Sequence, residues 1–138
     1  MTTKLCINAM PIKPGGGLTV LLGLLEAWRT IGSKLHITVV ASEKDTLSAV
    51  EETGCADRVE PIYVGGGARK QFLWENSLFG GALVEFSPDV VMTNNYYVHN
   101  VPFPQIVHHQ DLWRFVTASQ VGVSRSVPGE RVRKWAAN

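Results

Sequence analysis

The feature that most constrains this chain is alternation. Short runs rich in apolar and β-branched residues take turns with stretches whose apolar residues recur at helical spacing. That pattern builds βαβ units, hence a parallel sheet covered on both faces. Residues 5–9 read as a first buried strand, closed by Pro11, Pro14 and three glycines. Gly15, Gly16 and Gly17 then open a helix with Leu18, Leu21, Leu22, Leu25 and Trp28 as its stripe, and Gly32 stops it. Residues 36–41 form a second strand. Ser42 is placed to cap a helix running to about Thr53, with Gly54 as its stop. Residues 58–64 read as a weaker third strand. A second glycine run, Gly65-Gly66-Gly67, leads into a helix with Phe72, Leu73, Phe79, Ala82, Leu83 and Phe86 as its apolar face. Gly80-Gly81 weakens that helix and Ser87-Pro88 ends it. Residues 89–93 and 104–108 are the fourth and fifth strands. The expected fold is α/β, a Rossmann-like three-layer sandwich with a parallel sheet of about five or more strands. It spans residues 4–115. Residues 116–127 read as an irregular loop, and 128–138 as the start of a helix with Val132, Trp135 and Ala136 as its stripe.

Composition narrows the function classes. With 138 residues, 45% hydrophobic and 18% charged, the chain has the balance of one globular domain. A net charge of +1 gives no electrostatic reason to expect nucleic acid. Two cysteines, Cys6 and Cys55, make no disulfide framework, so a reducing, cytoplasmic setting is expected. The longest apolar stretch, residues 18–25, stops at Glu26, well short of the roughly 20 residues that span a bilayer. The start of the chain is too short in apolar residues for a secretory leader. Membrane contact, if any, is expected to be peripheral.

Parallel sheets carry ligands at the carboxyl ends of their strands, which directs attention to the loops after residues 9, 41, 64, 94 and 108. Pro14-Gly15-Gly16-Gly17 reads either as a phosphate contact at a helix N-terminus or as a tight turn. Val20 stands where a dinucleotide fingerprint has its third glycine, and the second strand ends in Ala41-Ser42 without an acid. No Gly-Lys-Ser/Thr follows, so a P-loop is also disfavoured. Asn94, Asn95, Tyr96 and Tyr97 can bond and stack on a polyhydroxylated ligand, or form a polar loop that satisfies its own backbone. His108-His109-Gln110-Asp111 suits acid–base work or ligand orientation. Adjacent strand residues point to opposite faces, so His108 and His109 do not make a metal site. Arg69 and Lys70 oppose the dipole of the helix they begin, unless an anion offsets them; a solvated basic turn is the simpler reading. Glu75 reads as a surface residue or helix-start acid. No Gly-x-Ser-x-Gly elbow supports a hydrolase.

Four ordered pieces resemble the N-terminal domain of retaining, GT-B fold glycosyltransferases of family four. They are the first strand with Gly15-Gly16-Gly17; Phe72-Leu73-Trp74-Glu75-Asn76, similar to a Leu-Trp-Glu-Gln segment; Ser87-Pro88-Asp89-Val90-Val91 with the Asn/Tyr loop and Pro104-Gln105-Ile106-Val107; and His108-His109-Gln110-Asp111-Leu112. The resemblance implies transfer of a sugar, with retention, from a nucleotide-diphosphate sugar to a glycan, lipid or small-molecule acceptor. It implies no metal and no cofactor beyond that co-substrate. By the same resemblance, Gly15, Gly16 and Gly17 meet the donor diphosphate. His109 and Asp111 lie at the reacting sugar. Asn94, Asn95, Tyr96, Tyr97, Arg69 and Lys70 belong to the acceptor side. Many relatives carry His-Asp where this chain has Gln110-Asp111. Nothing here resembles the donor-binding domain. The chain is therefore expected to be inactive alone and completed by a missing C-terminal domain or a separate catalytic subunit. The alternative is a non-catalytic Rossmann-like module that binds a glycan or a partner; a flavodoxin-like or nucleotide-binding regulator is the weaker third choice.

Overall fold

Period-two alternation in the first strand sets the whole architecture, because it sends successive side chains into two different cores. In a computed structural model, which describes residues 1–94 and 96–108, β1 is Thr3–Asn8. Leu5 and Ile7 face one core, with Leu21 and Leu25 of α1 (Gly16–Thr30) and Leu47 and Val50 of α2 (Lys44–Thr53). Cys6 faces the other, with Phe79 and Leu83 of α4 (Phe79–Leu83) and with Trp74 of α3 (Gly67–Ser77) packed against it. The remaining strands are β2 (Leu35–Ala41), β3 (Arg58–Pro61), β4 (Val90–Asn94) and β5 (Gln105–His108). All pair in parallel, in the order β3-β2-β1-β4-β5. The protein is thus α/β, with a five-stranded parallel sheet between helical layers, a Rossmann-like three-layer sandwich. Among the described residues no helix is long and apolar enough to cross a membrane. The expectations for Asn95, His109, Gln110, Asp111, the loop at 116–127 and the helix from 128 lie outside the described residues.

Several local expectations need correction. Ser42 does not cap α2. Glu43 holds the cap position in an extended conformation with no side-chain cap bond, and the Ser42 hydroxyl donates instead to the Met10 carbonyl at 3.2 Å. Inside the helix, buried Thr46 donates to the Ile12 carbonyl at 3.0 Å. The two hydroxyls tie the start of α2 to the chain leaving β1. β3 ends at Pro61, three residues earlier than its apolar pattern suggests; its last bond to β2 is the Ile62 N–H donated to the Ala41 carbonyl at 2.9 Å, where β2 itself ends. The expected helix after the second glycine run is two helices, parted at Leu78. The break changes which residues face inward. Phe72 and Leu73 are 48% and 57% exposed, and the inward positions of α3 are Glu75 and, half-buried, Trp74.

Cys6 and Cys55 are both free thiols. Burial pushes the Cys6 thiol from 9.0 up to about 12. An acid whose folded pKa is raised holds its proton more tightly when folded. Its contribution is present in full below about pH 9 and is lost as pH rises from there toward 12. Over that window the domain should lose about 1.4 kcal/mol of stability per pH unit on account of this thiol. Urea melts at stepped alkaline pH should show a shallower decline in Cys6→Ala than in the wild type. Parallel slopes would mean that Cys6 is not shielded from water.

Candidate functional site at the sheet switch point

The strand order runs outward from β1 through β2 to β3, then returns to β1's other side with β4. Ligands of open parallel sheets bind outside the carboxyl ends of the strands at such a reversal. Here the two strands at the reversal end in asparagines, Asn8 on β1 and Asn94 on β4, and both are buried. Asn94 Nδ2 donates to the Asn8 carbonyl at 2.8 Å, bracing one strand end against the other. The Asn8 side chain is engaged at both ends. Its Oδ1 accepts from the Met10 N–H at 3.1 Å, and its Nδ2 donates to Glu75 Oε1 at 2.6 Å. The other oxygen of Glu75 accepts from the Tyr96 phenol at 2.5 Å. His108 Nδ1 lies 3.4 Å from Asn94 Oδ1 at the far side of β4. A continuous hydrogen-bonded chain therefore joins Tyr96, Glu75, Asn8 and Asn94 across the switch point.

Glu75 corrects the sequence reading most sharply. It is a core residue with no exposed surface, not a surface acid. A carboxylate is admitted to a core only when its oxygens are bonded, and the partners come from β1 and from the loop after β4. Its place directly after Phe72-Leu73-Trp74 is the one sequence signal that could have marked it. Asn8, the last residue of an otherwise apolar strand, is the matching signal on β1.

Above this chain lies a cleft of about 610 Å³. Its walls come from the loops after β1, β2 and β3, from the start of α3, and from Tyr96. Lys13, Ser42, Glu43, Tyr63, Gln71, Phe72 and Tyr96 supply its chemistry. Phe72 meets Tyr96 edge-on, with ring centroids 5.6 Å apart. The exposure of Phe72 is thus exposure toward a cavity wall. Lys13, Ser42, Tyr63, Gln71 and the aromatic role of Phe72 were not foreseen. Each lies in a loop or helix start, where short-range pattern carries no information about what faces what.

The expected site residues divide between this cleft and elsewhere. Tyr96 lines it, whereas Asn94 lies beneath, occupied in bracing the strands. Tyr97 is exposed and packs edge-on against His99 at 5.6 Å. The loop that carries both is pinned to the end of α3, since the His99 N–H donates to Asn76 Oδ1 and Asn100 Nδ2 donates to the Asn76 carbonyl, each at 2.8 Å. Arg69 and Lys70 are exposed in the first turn of α3 and do not wall the cleft; the Lys70 stem lies over Gly66. It is the second glycine run, through Gly65 and Gly67, that borders the cavity.

The first run, Gly15-Gly16-Gly17, begins α1, with Gly15 and Gly16 exposed and Gly17 half-buried. Among the described residues no side chain caps the helix. Gly15 has φ 136°, a conformation that side chains rarely adopt, while an added Cβ at either Gly15 or Gly16 would meet nothing within 4 Å. Gly15→Ala should therefore cost about 1–3 kcal/mol through backbone strain alone. Gly16→Ala should stay within about 0.5 kcal/mol of wild type or gain slightly. Thermal melts of the two variants separate conformational need from steric need; equal effects would refute the strained turn.

Among the described residues no cluster of three or more His, Cys, Asp or Glu could hold a metal ion. No protein-family model matches the chain, and no curated protein and no solved structure matches it either.

Proposed function

We propose that this domain is the acceptor-side, Rossmann-like half of a glycosyltransferase that moves a sugar from a nucleotide-diphosphate sugar to an acceptor. The observation that carries the reading is the cleft at the carboxyl ends of the strands, where Tyr63, Phe72 and Tyr96 stand beside Lys13, Ser42 and Gln71. Aromatic faces cover the C–H surface of a sugar ring, and convergent polar groups fix its hydroxyls. The buried Glu75 chain holds one wall in place, which limits the ordering cost on binding. The uncapped N-terminus of α1 suits a diphosphate. The resemblance to family-four enzymes gives the donor type and implies that His109 or Asp111 lies near the sugar and the attacking hydroxyl, where imidazole and carboxylate suit acid–base or orienting work. Transfer needs donor and acceptor held together between two domains, and the described residues form one Rossmann-like unit. A donor-binding domain, in the same polypeptide or in a second subunit, completes the site in this reading.

Saturation-transfer NMR tests it, since that method detects the weak binding expected of half a cleft. Methyl glycosides should receive saturation from the protein in preference to free nucleotides. Tyr63 is 71% exposed, so Tyr63→Ala should leave stability within about 0.5 kcal/mol. It should weaken glycoside binding roughly tenfold, the value of one aromatic contact of about 1–1.5 kcal/mol. Binding unchanged in Tyr63→Ala would remove the cleft from the function. Nucleotide binding without any sugar preference would favour a nucleotide-binding regulator.

A further inference from the structure

Asn94 and His108 meet on the α1 side of the sheet, and neither lines the cleft. Met92 belongs to the core beneath α1, and Asn94, two residues on in β4, points to the same side. His108 is its register partner on β5. The two side chains therefore share one face at the carboxyl ends of adjacent strands. The sense of their contact is set by its fixed end. Asn94 Nδ2 donates to the Asn8 backbone carbonyl at 2.8 Å. A carbonyl can only accept, so the amide nitrogen must face Asn8 and the amide oxygen is turned toward His108. His108 Nδ1 stands 3.4 Å from that oxygen. The distance is long for a hydrogen bond, but its polarity has one solution. A lone pair on Nδ1 would face the lone pairs of Oδ1, whereas an N–H is attracted to them. Asn94 is buried, so water does not replace His108 as the donor.

We propose that Asn94 is a positioning residue that holds His108 as the Nδ1–H tautomer and so makes Nε2 the basic nitrogen at the end of β5. An unconstrained histidine favours the opposite tautomer, with its hydrogen on Nε2, so the choice is imposed by the bond at the other nitrogen. Nε2 has no partner among the described residues, and His108 is half-buried. The ligand group that fits Nε2 is a hydrogen-bond donor, a hydroxyl or an N–H. When a hydroxyl gives its proton to Nε2, the O–H electron pair stays on oxygen and the ring becomes an imidazolium. The Nδ1–H remains on Asn94 Oδ1 throughout, so proton uptake needs no rearrangement of the pair. In the glycosyltransferase reading that hydroxyl belongs to the acceptor, and the identity of the ligand rests on that reading. The tautomer does not.

Long-range nitrogen–proton NMR correlation of the imidazole rings tests the tautomer directly, because a nitrogen that carries hydrogen and one that carries a lone pair resonate far apart. The spectra are taken in mildly alkaline buffer, above the ordinary histidine range, and loss of signals in His108→Gln assigns the ring. The wild type should show hydrogen on Nδ1 and a lone pair on Nε2. Asn94→Leu keeps the approximate shape of residue 94 and removes its acceptor, so the populations should reverse in favour of Nε2–H. A merely structural role for Asn94 would not move the tautomer. The second readout is carbethoxylation by diethyl pyrocarbonate, which needs an accessible imidazole lone pair. Mass spectrometry of the modified peptides should show His108 labelled on the timescale of His36, whose side chain is 49% exposed.

Hydrogen on Nε2 in the wild type overturns the proposal, and so does an Nδ1–H that persists in Asn94→Leu. A His108 that resists labelling while His36 reacts shows that Nε2 is not open to a ligand, which also overturns it. Should Asn94→Leu not fold, the wild-type tautomer decides alone, because the expected form is the one that free histidine disfavours. If the Nδ1–H tautomer and the labelling are both found but no glycoside binds, the carbohydrate reading fails while the assignment of Asn94 and His108 stands.

Discussion

Glu75→Ala should destabilise the domain by about 3 kcal/mol or more, far beyond the effect of removing a surface acid. The substitution leaves buried Asn8 Nδ2 without its acceptor and removes the Glu75 bond to the Tyr96 phenol, and a buried donor without an acceptor costs about 1–3 kcal/mol. It also leaves a void where a side chain with no exposed surface had been, which adds a cavity cost. One effect runs the other way, because deleting Glu75 relieves the penalty of keeping a carboxylate in a core. The stranded Asn8 donor and the void outweigh that relief, since the carboxylate's desolvation is already offset by two short bonds. Glu75→Gln should lose much less, about 1–2 kcal/mol, because an amide can serve both neighbours once the phenol turns. Urea denaturation of both variants separates these contributions. A Glu75→Ala protein within about 1 kcal/mol of wild type would mean that Glu75 faces water. Ligand binding should fall along with stability, because Tyr96 loses the contact that sets its position in the cleft.

Glu75 also marks the boundary between what was legible in the sequence and what was not. Strands β1, β2 and β4 announce themselves because both of their faces are covered, which makes them short apolar runs. The stop at Gly54 was legible for a local reason: the chain there has φ 59°, and glycine occupies it freely. The α3–α4 segment departs from its sequence pattern because a single apolar stripe cannot run through a break. Leu78 parts the two helices, so Phe72 and Leu73 no longer share a face with Phe79 and Leu83. A charged residue inside that stretch was assigned outward by its type alone. Its actual partners are 67 residues earlier and 21 residues later, and no periodicity reports a contact at that separation. The same holds for the cleft. The strand-end rule points to loops that line this cleft, yet Lys13, Tyr63 and Gln71 meet there only because the sheet order places β1, β2 and β3 side by side. Of the two readings of the first glycine run, phosphate contact or tight turn, the turn has a local counterpart in Gly15 at φ 136°.

Gly80 and Gly81 should respond to alanine with opposite signs, although they are neighbours in one short helix. Helix propensity by itself favours alanine over glycine by about 1 kcal/mol, and neither residue has a positive φ that would demand glycine. At Gly81 nothing lies within 4 Å of an added Cβ, so Gly81→Ala should stabilise by about 0.5–1 kcal/mol. At Gly80 the added carbon would stand 2.0 Å from the Asn100 carbonyl oxygen, 3.0 Å from its carbon and 3.2 Å from Pro102 Cδ. Two of these three atoms are backbone and cannot swing aside as a side chain could. Nor can the loop retreat cheaply: Asn100 and His99 are tied to Asn76, and Gln105 brackets Val98 through both its N–H and its carbonyl. Val98 and Val101 are themselves buried against Phe79 and Leu83. Relieving the overlap therefore means lifting the segment after β4 away from α4, opening the core that the two share. Overpacking of this kind costs about 1–3 kcal/mol and more where the obstacle is rigid, so Gly80→Ala should lose about 3 kcal/mol even after its gain in helix propensity. Differential scanning calorimetry of the two single variants decides the matter. A rise in melting temperature for both would show that the helix and the loop do not touch at Gly80. A fall for Gly80→Ala alone ties the loop that carries Tyr96 to the core, so that the wall of the cleft and the stability of the fold are set by the same contact.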